Sequence, residues 1–107
     1  MNYYHQIEEI VGEKYCFSDL ETRTRYGHDH TEDLSYPPQI VIKPGTVKEI
    51  SSIMKFASLN KIPVVPIGAL TGLSGGALSV SGGIGLSMER FNKIIEIDEN
   101  NLQVTTE

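Results

Sequence analysis

The stretch Pro66-Ile67-Gly68-Ala69-Leu70-Thr71-Gly72-Leu73-Ser74-Gly75-Gly76-Ala77-Leu78 follows directly on the apolar run Ile62-Pro63-Val64-Val65-Pro66. From Gly68 to Gly83 no side chain carries a charge. An anion held here must therefore be held by backbone N–H groups and by the hydroxyls of Thr71 and Ser74. Successive amides on a glycine-rich backbone can converge on one phosphate, because a chain without Cβ atoms approaches its ligand closely. The stretch reads as a phosphate cradle. Neither common glycine fingerprint describes it: a P-loop needs Gly-Lys-Ser/Thr, and this loop has no lysine. A dinucleotide fingerprint opens a helix, whereas Gly68-Ala69-Leu70-Thr71-Gly72 runs into further glycine and then a strand pattern. The competing reading is that the chain's ten glycines merely mark turns; composition alone leaves both open.

Other residues invite chemistry less strongly. His28-Asp29-His30 with Glu32 and Asp33 offers imidazole and carboxylate ligands of the kind divalent metals take. No apolar neighbours fix their geometry, so a solvated polar loop is the better reading. Cys16 beside Phe17 has no basic partner nearby in sequence and reads as a small buried hydrophobe rather than a nucleophile. Gly72-Leu73-Ser74-Gly75-Gly76 spells a nucleophile elbow, which requires a strand ending just before it and a helix starting just after it. The segment begins well past Pro66 and leads into Leu78-Ser79-Val80-Ser81-Gly82-Gly83, a context that argues against a hydrolase.

The whole-chain properties narrow the setting. At 107 residues the chain has room for one folding unit, and 39% hydrophobic with 21% charged residues argues against disorder. A net charge of -5 without any Lys/Arg cluster excludes the basic footprint that nucleic acids and anionic membranes select. No apolar run approaches the roughly 20 residues that span a bilayer. One cysteine precludes an internal disulfide and the first residues lack the basic and apolar regions of a secretory signal, so a cytoplasmic protein is expected.

The elements that must position the loop are legible in order. Tyr3, Ile7, Ile10, Val11 and Lys14 recur at helical spacing, with Gly12 a local weakness. Ser18-Asp19-Leu20-Glu21 has the capping-box pattern and predicts a short helix toward Tyr26, stopped by Gly27. Residues 27–39 are polar, lack a period and contain Pro37-Pro38, which predicts a surface connection. Ile40-Val41-Ile42 is a β-branched run of the kind found in central parallel strands. Thr46-Val47-Lys48-Glu49 is a second capping box, and Val47, Ile50, Ile53, Met54 and Ala57 predict a helix over 47–59, with Asn60 at its end. A buried strand over 62–66 then completes a βαβ crossover. After the loop, 84–88 reads as a strand, 89–92 as a turn, and 93–97 and 102–106 as strands joined by the turn Glu99-Asn100-Asn101. The chain stops inside an element, which predicts a piece of something longer.

Four blocks in order carry a resemblance. They are Tyr26-Gly27-His28-Asp29, Pro38-Gln39-Ile40-Val41-Ile42-Lys43-Pro44, the loop from Val64 to Ala77, and Gly83-Ile84-Gly85-Leu86-Ser87-Met88-Glu89-Arg90-Phe91-Asn92-Lys93-Ile94-Ile95-Glu96-Ile97-Asp98. From about Tyr26 onward the chain resembles the FAD-linked oxidase family. Its FAD-binding domain is of the PCMH or vanillyl-alcohol-oxidase type, and the likeness is to the branch that holds glycolate oxidase and D-lactate dehydrogenase.

The resemblance implies an α/β fold: a small parallel βαβ sheet with flanking helices, the first lobe of a PCMH-type FAD-binding domain. The chain divides into an N-terminal helical segment and loop over 1–36 and an incomplete first lobe over 37–107. It implies FAD as cofactor, with Gly68, Ala69, Leu70, Thr71 and Gly72 on the pyrophosphate and Ser74, Gly75 and Gly76 close by. Asp29 becomes a structural loop residue. The family often has an arginine where Ile67 stands and a glycine where Leu70 stands. Ile67 therefore removes a charge contact at a cofactor-binding position, and Leu70 is expected to keep its backbone out of the φ > 0 region. The parent activity implied is oxidation of a small 2-hydroxy acid. The alternatives are another FAD-linked oxidase or transferase of the superfamily, or an inactive stand-alone anion-binding module. The family's catalytic and metal-binding residues lie in later parts of its full-length members. The piece alone is expected to hold FAD weakly and, with apolar surface uncovered, to self-associate.

Overall fold

The computed structural model describes residues 3–29, 34–72 and 75–107. Helix α1 (Tyr4–Val11) is followed by a single 3-10 turn (Glu13–Tyr15), strand β1 (Cys16–Phe17) and helix α2 (Leu20–Arg25). Strand β2 (Ile40–Ile42), helix α3 (Val47–Leu59) and strand β3 (Val64–Ile67) form the crossover. Strands β4 (Ile84–Ser87), β5 (Ile94–Asp98) and β6 (Gln103–Thr106) complete the order.

Four strands make the main sheet in the order β1-β2-β4-β3. β2 and β3 both run parallel to β4, and β1 is antiparallel to β2. The crossover thus leaves a gap between its two strands, which β4 fills. This placement corrects the expectation of a buried strand over 62–66. β3 sits at the sheet edge, its Val64 and Val65 half-buried and Pro66 exposed, with only Ile67 fully buried. Proline suits an edge, where its missing N–H costs no interior ladder bond.

Alternation along β2 divides the core into two layers. Ile40 and Ile42 face α1 and α3, meeting Ile7, Val11, Cys16, Ile53 and Ala57, while Val41 faces Tyr26 and Ile67 on the other side. The N-terminal 36 residues therefore contribute to the same core as the rest. Helix α1 ends at Gly12, sooner than the spacing to Lys14 suggested, and Lys14 belongs to the 3-10 turn. Helix α2 is capped by Asp19, not Ser18: the Asp19 carboxylate accepts from the Thr22 amide at 2.8 Å. Helix α3 has the predicted bounds; Thr46 Oγ1 accepts from the Glu49 amide at 3.1 Å, while the Glu49 carboxylate reaches back to the Gly45 amide.

Arg90, just past β4, clamps three segments together. Its guanidinium stacks 3.6 Å from the centre of the Tyr15 ring, donates to the Lys43 carbonyl at 2.9 Å and faces Glu49 at 3.9 Å. The turn after β4 is thereby fixed to the end of β2 and the start of α3. Beyond it, among the described residues, β5 and β6 pair only with each other, as an antiparallel hairpin. Ile94, Ile95, Ile97, Leu102 and Val104 on this hairpin are all well exposed.

Candidate functional site

The parallel strands β3 and β4 end side by side, with Ile67 opposite Ser87. Crevices outside the carboxyl ends of parallel strands are where open α/β sheets take ligands. Here the crevice is a cleft of about 350 Å³ lined by Gly68, Ala69, Met88, Glu89, Phe91 and Asn92. A larger groove of about 570 Å³ runs along the outer flank of α3, between Met54 and Leu59. It lies on a helix whose backbone N–H groups are spent within the helix, so it presents no row of backbone donors.

The loop supplies those donors. The Ile67 carbonyl accepts from the Met88 amide at 2.9 Å, which ends the ladder. Among the described residues, the amides of Gly68, Ala69, Leu70, Thr71 and Gly72 then donate no hydrogen bond. A Cβ added at Gly68 would meet no atom within 4 Å, so the backbone there stands open to the cleft. Five unspent donors without a charged side chain among them fit an oligophosphate better than any neutral ligand. The loop already shows this preference: the Gly75 amide donates to the Asp29 carboxylate at 3.1 Å, and the same oxygen lies 3.9 Å from where a Gly72 Cβ would stand. Asp29 is thus a fastening for the far end of the loop. Gly76 has open space around it, and Ser74 lies outside the described residues.

One loop residue behaves differently from expectation. Leu70 adopts φ 60, within the left-handed region it was expected to avoid. Its side chain is half-buried against the Tyr26, Val41 and Ile67 cluster, and that packing offsets the backbone strain. Leu70→Gly should therefore leave stability within about 1 kcal/mol, since relief of roughly 1–2 kcal/mol of left-handed strain opposes a loss of apolar burial of similar size. A shift in urea midpoint corresponding to several kcal/mol would contradict this balance. Ile67 is fully buried with its side chain in the core, so it offers the cleft only backbone.

The opposite wall was not legible as a site. Glu89, read from sequence as part of a turn, has three donors on one carboxylate oxygen: the buried Tyr26 hydroxyl, the Ser87 hydroxyl at 2.8 Å and Lys43 Nζ at 3.4 Å. Lys43 Nζ is itself held over the rings of Phe17 and Tyr26, at 4.9 and 5.5 Å. The Tyr26 hydroxyl, with Ser87 and Lys43, keeps the Glu89 carboxyl below the ordinary carboxylate value, and it is ionised at neutral pH. The signal that could have revealed this wall is position: residues 88–92 follow the strand that pairs with the loop's own.

Among the described residues, the remaining candidates have local partners or are buried. His28 Nδ1 lies 3.2 Å from the Leu34 carbonyl, and His30, Glu32 and Asp33 fall outside the described residues. Burial, with Glu8 nearby, pushes the Cys16 thiol up to about 11, which keeps it protonated and unreactive. Among the described residues between Gly75 and Gly83 there are turns and no helix, so the elbow geometry is not met.

Comparison with known proteins identifies relatives of the chain. Over 102 residues the chain is 39% identical to the glycolate oxidase subunit GlcD of Bacillus subtilis, covering 95% of this chain and 22% of that protein. It is 40% identical over 67 residues to a D-lactate dehydrogenase of Anaerostipes hadrus, covering 63% of this chain and 14% of the relative. A solved structure of alkyldihydroxyacetonephosphate synthase superposes with a TM-score of 0.81 at 14% identity, over 95% of this chain and 21% of that one. The chain spans about a fifth of the length of such relatives. Residues 38–107 match the FAD binding domain family, and the chain belongs to it, with the PCMH-type architecture of FAD-linked oxidases.

Proposed function

We propose that the chain is the pyrophosphate-holding part of the FAD site in a flavin-dependent dehydrogenase or oxidase of a small 2-hydroxy acid, of the glycolate or D-lactate kind. The observation that carries the reading is the row of amides at 68–72 that donate to no described residue, beside a cleft at the carboxyl ends of β3 and β4. Gly68, Ala69, Leu70, Thr71 and Gly72 hold the phosphates through backbone N–H groups, Ile67 contributes backbone alone, and Ser74, Gly75 and Gly76 lie close to the cofactor. Bound FAD supplies the acceptor for the hydride leaving the substrate's α-carbon.

What the chain itself contributes is position and electrostatics. Neutral amides in a loop without side-chain charge bind the phosphates, and Asp29 keeps the loop's far end fixed through Gly75. The names of the relatives support the substrate class. A cytoplasmic setting goes with this reading.

The test is anaerobic mixing of the whole flavin-loaded protein with glycolate and with D-lactate. Bleaching of the flavin's visible absorbance by at least one of them is expected. Retention of the oxidised spectrum with both, and with other short 2-hydroxy acids, would refute the substrate class.

A further inference from the structure

The Glu89 carboxylate is held in an asymmetric way. Oε1 receives the Tyr26 hydroxyl, the Ser87 hydroxyl and Lys43, whereas Oε2 makes no hydrogen bond among the described residues. The side chain is 46% exposed and lines the same cleft as Gly68 and Ala69. One oxygen is an anchor, and the other is left to accept from a ligand in that cleft.

An ionised carboxylate can only accept hydrogen bonds. Next to a phosphate cradle its partner cannot be a phosphate, since two anions in contact repel each other. The groups of a dinucleotide that flank the pyrophosphate and donate hydrogen bonds are sugar hydroxyls, on the ribose to one side and the ribityl chain to the other. Lys43, paired with Glu89 at 3.4 Å, offsets the carboxylate's charge toward the phosphates.

We propose that Glu89 is a ligand-binding residue of this cleft, accepting through Oε2 a hydrogen bond from a sugar hydroxyl adjacent to the pyrophosphate. This rests on the reading that the loop at 68–72 holds FAD. Because Oε1 is fixed by three donors, the acceptor is in place before the ligand arrives, and little side-chain freedom is lost on binding.

The test is calorimetric titration of the whole protein and of Glu89→Ala and Glu89→Gln with FAD, ADP and the dideoxyribose analogue of ADP. Unaltered protein should prefer ADP to its dideoxy analogue by about tenfold, the size of a charge-assisted hydrogen bond, and Glu89→Ala should abolish that preference. Glu89→Gln keeps the anchor and a polar group at the cleft, so it should retain part of the affinity that the alanine variant loses. ADP binding unchanged in Glu89→Ala with FAD binding weakened about tenfold would support the proposal and identify the ribityl hydroxyls as the source. FAD and ADP affinities both unchanged in a folded Glu89→Ala would overturn it. If the unaltered protein binds neither nucleotide, the FAD reading fails, and this one with it.

Discussion

Alanine at Gly83 is expected to destabilise the chain by about 3 kcal/mol or more, a large share of the 5–15 kcal/mol typical of a domain. Gly83 has φ 78, and an added Cβ would land on the carbonyl oxygen of Pro63. That oxygen is not free to move, since it accepts from the Ile84 amide at 2.9 Å. The Gly83 carbonyl in turn accepts from the amides of Gln39 and Ile40 at 2.9 and 3.3 Å. One residue therefore joins the starts of β2, β3 and β4, and the three strands must shift together to admit a methyl group. Left-handed strain of roughly 1–2 kcal/mol adds to roughly 1–3 kcal/mol for displacing packed backbone. Gly68→Ala is the control: its Cβ would meet nothing within 4 Å and its φ is not positive. Urea denaturation should separate the two variants clearly. A Gly83→Ala midpoint close to that of the unaltered chain would show that the strand starts are not fastened through this residue.

What could be read from sequence was local, and what could not was pairing. Helix α3 has its predicted bounds because the Thr46 cap and the spacing of Val47, Ile50, Ile53 and Ala57 act within one segment. The run Ile40-Val41-Ile42 announces an interior strand because every residue in it is apolar and β-branched. By contrast, β1 is two residues long, and Cys16-Phe17 has no period to detect. The insertion of β4 between β2 and β3 depends on contacts more than forty residues apart at Ile40 and Ile84, which no local pattern encodes. The same division holds at the site. A chargeless glycine loop is legible by composition, whereas its facing wall of Met88, Glu89 and Phe91 exists only because β3 and β4 are neighbours. Leu70 is the instructive miss: leucine's own preference argues against φ > 0, and burial against Tyr26 and Ile67 overrides it.

The chain on its own should release FAD on desalting and bind it about a hundredfold or more weakly than the whole protein. Ligand pockets enclose 70–90% or more of a ligand's surface and run from about 300 to 1,000 Å³. The cleft between the loop and residues 88–92, at about 350 Å³, falls at the small end of that range. It has room for phosphates and an adjoining sugar, but it gives the flavin ring system little apolar cover. Each Å² of that ring left in water forgoes about 25 cal/mol, so an uncovered face of roughly 100 Å² accounts for the hundredfold. The exposed Ile94, Ile95 and Ile97 on the hairpin show that apolar surface elsewhere on the chain is likewise uncovered. ADP distinguishes this account from simple misfolding. Its diphosphate and sugar are the groups that the loop and the cleft can contact, so ADP should lose much less affinity than FAD between the whole protein and the chain. Stoichiometric flavin absorbance retained by the chain after desalting would defeat the prediction; so would an ADP affinity that falls as far as that of FAD.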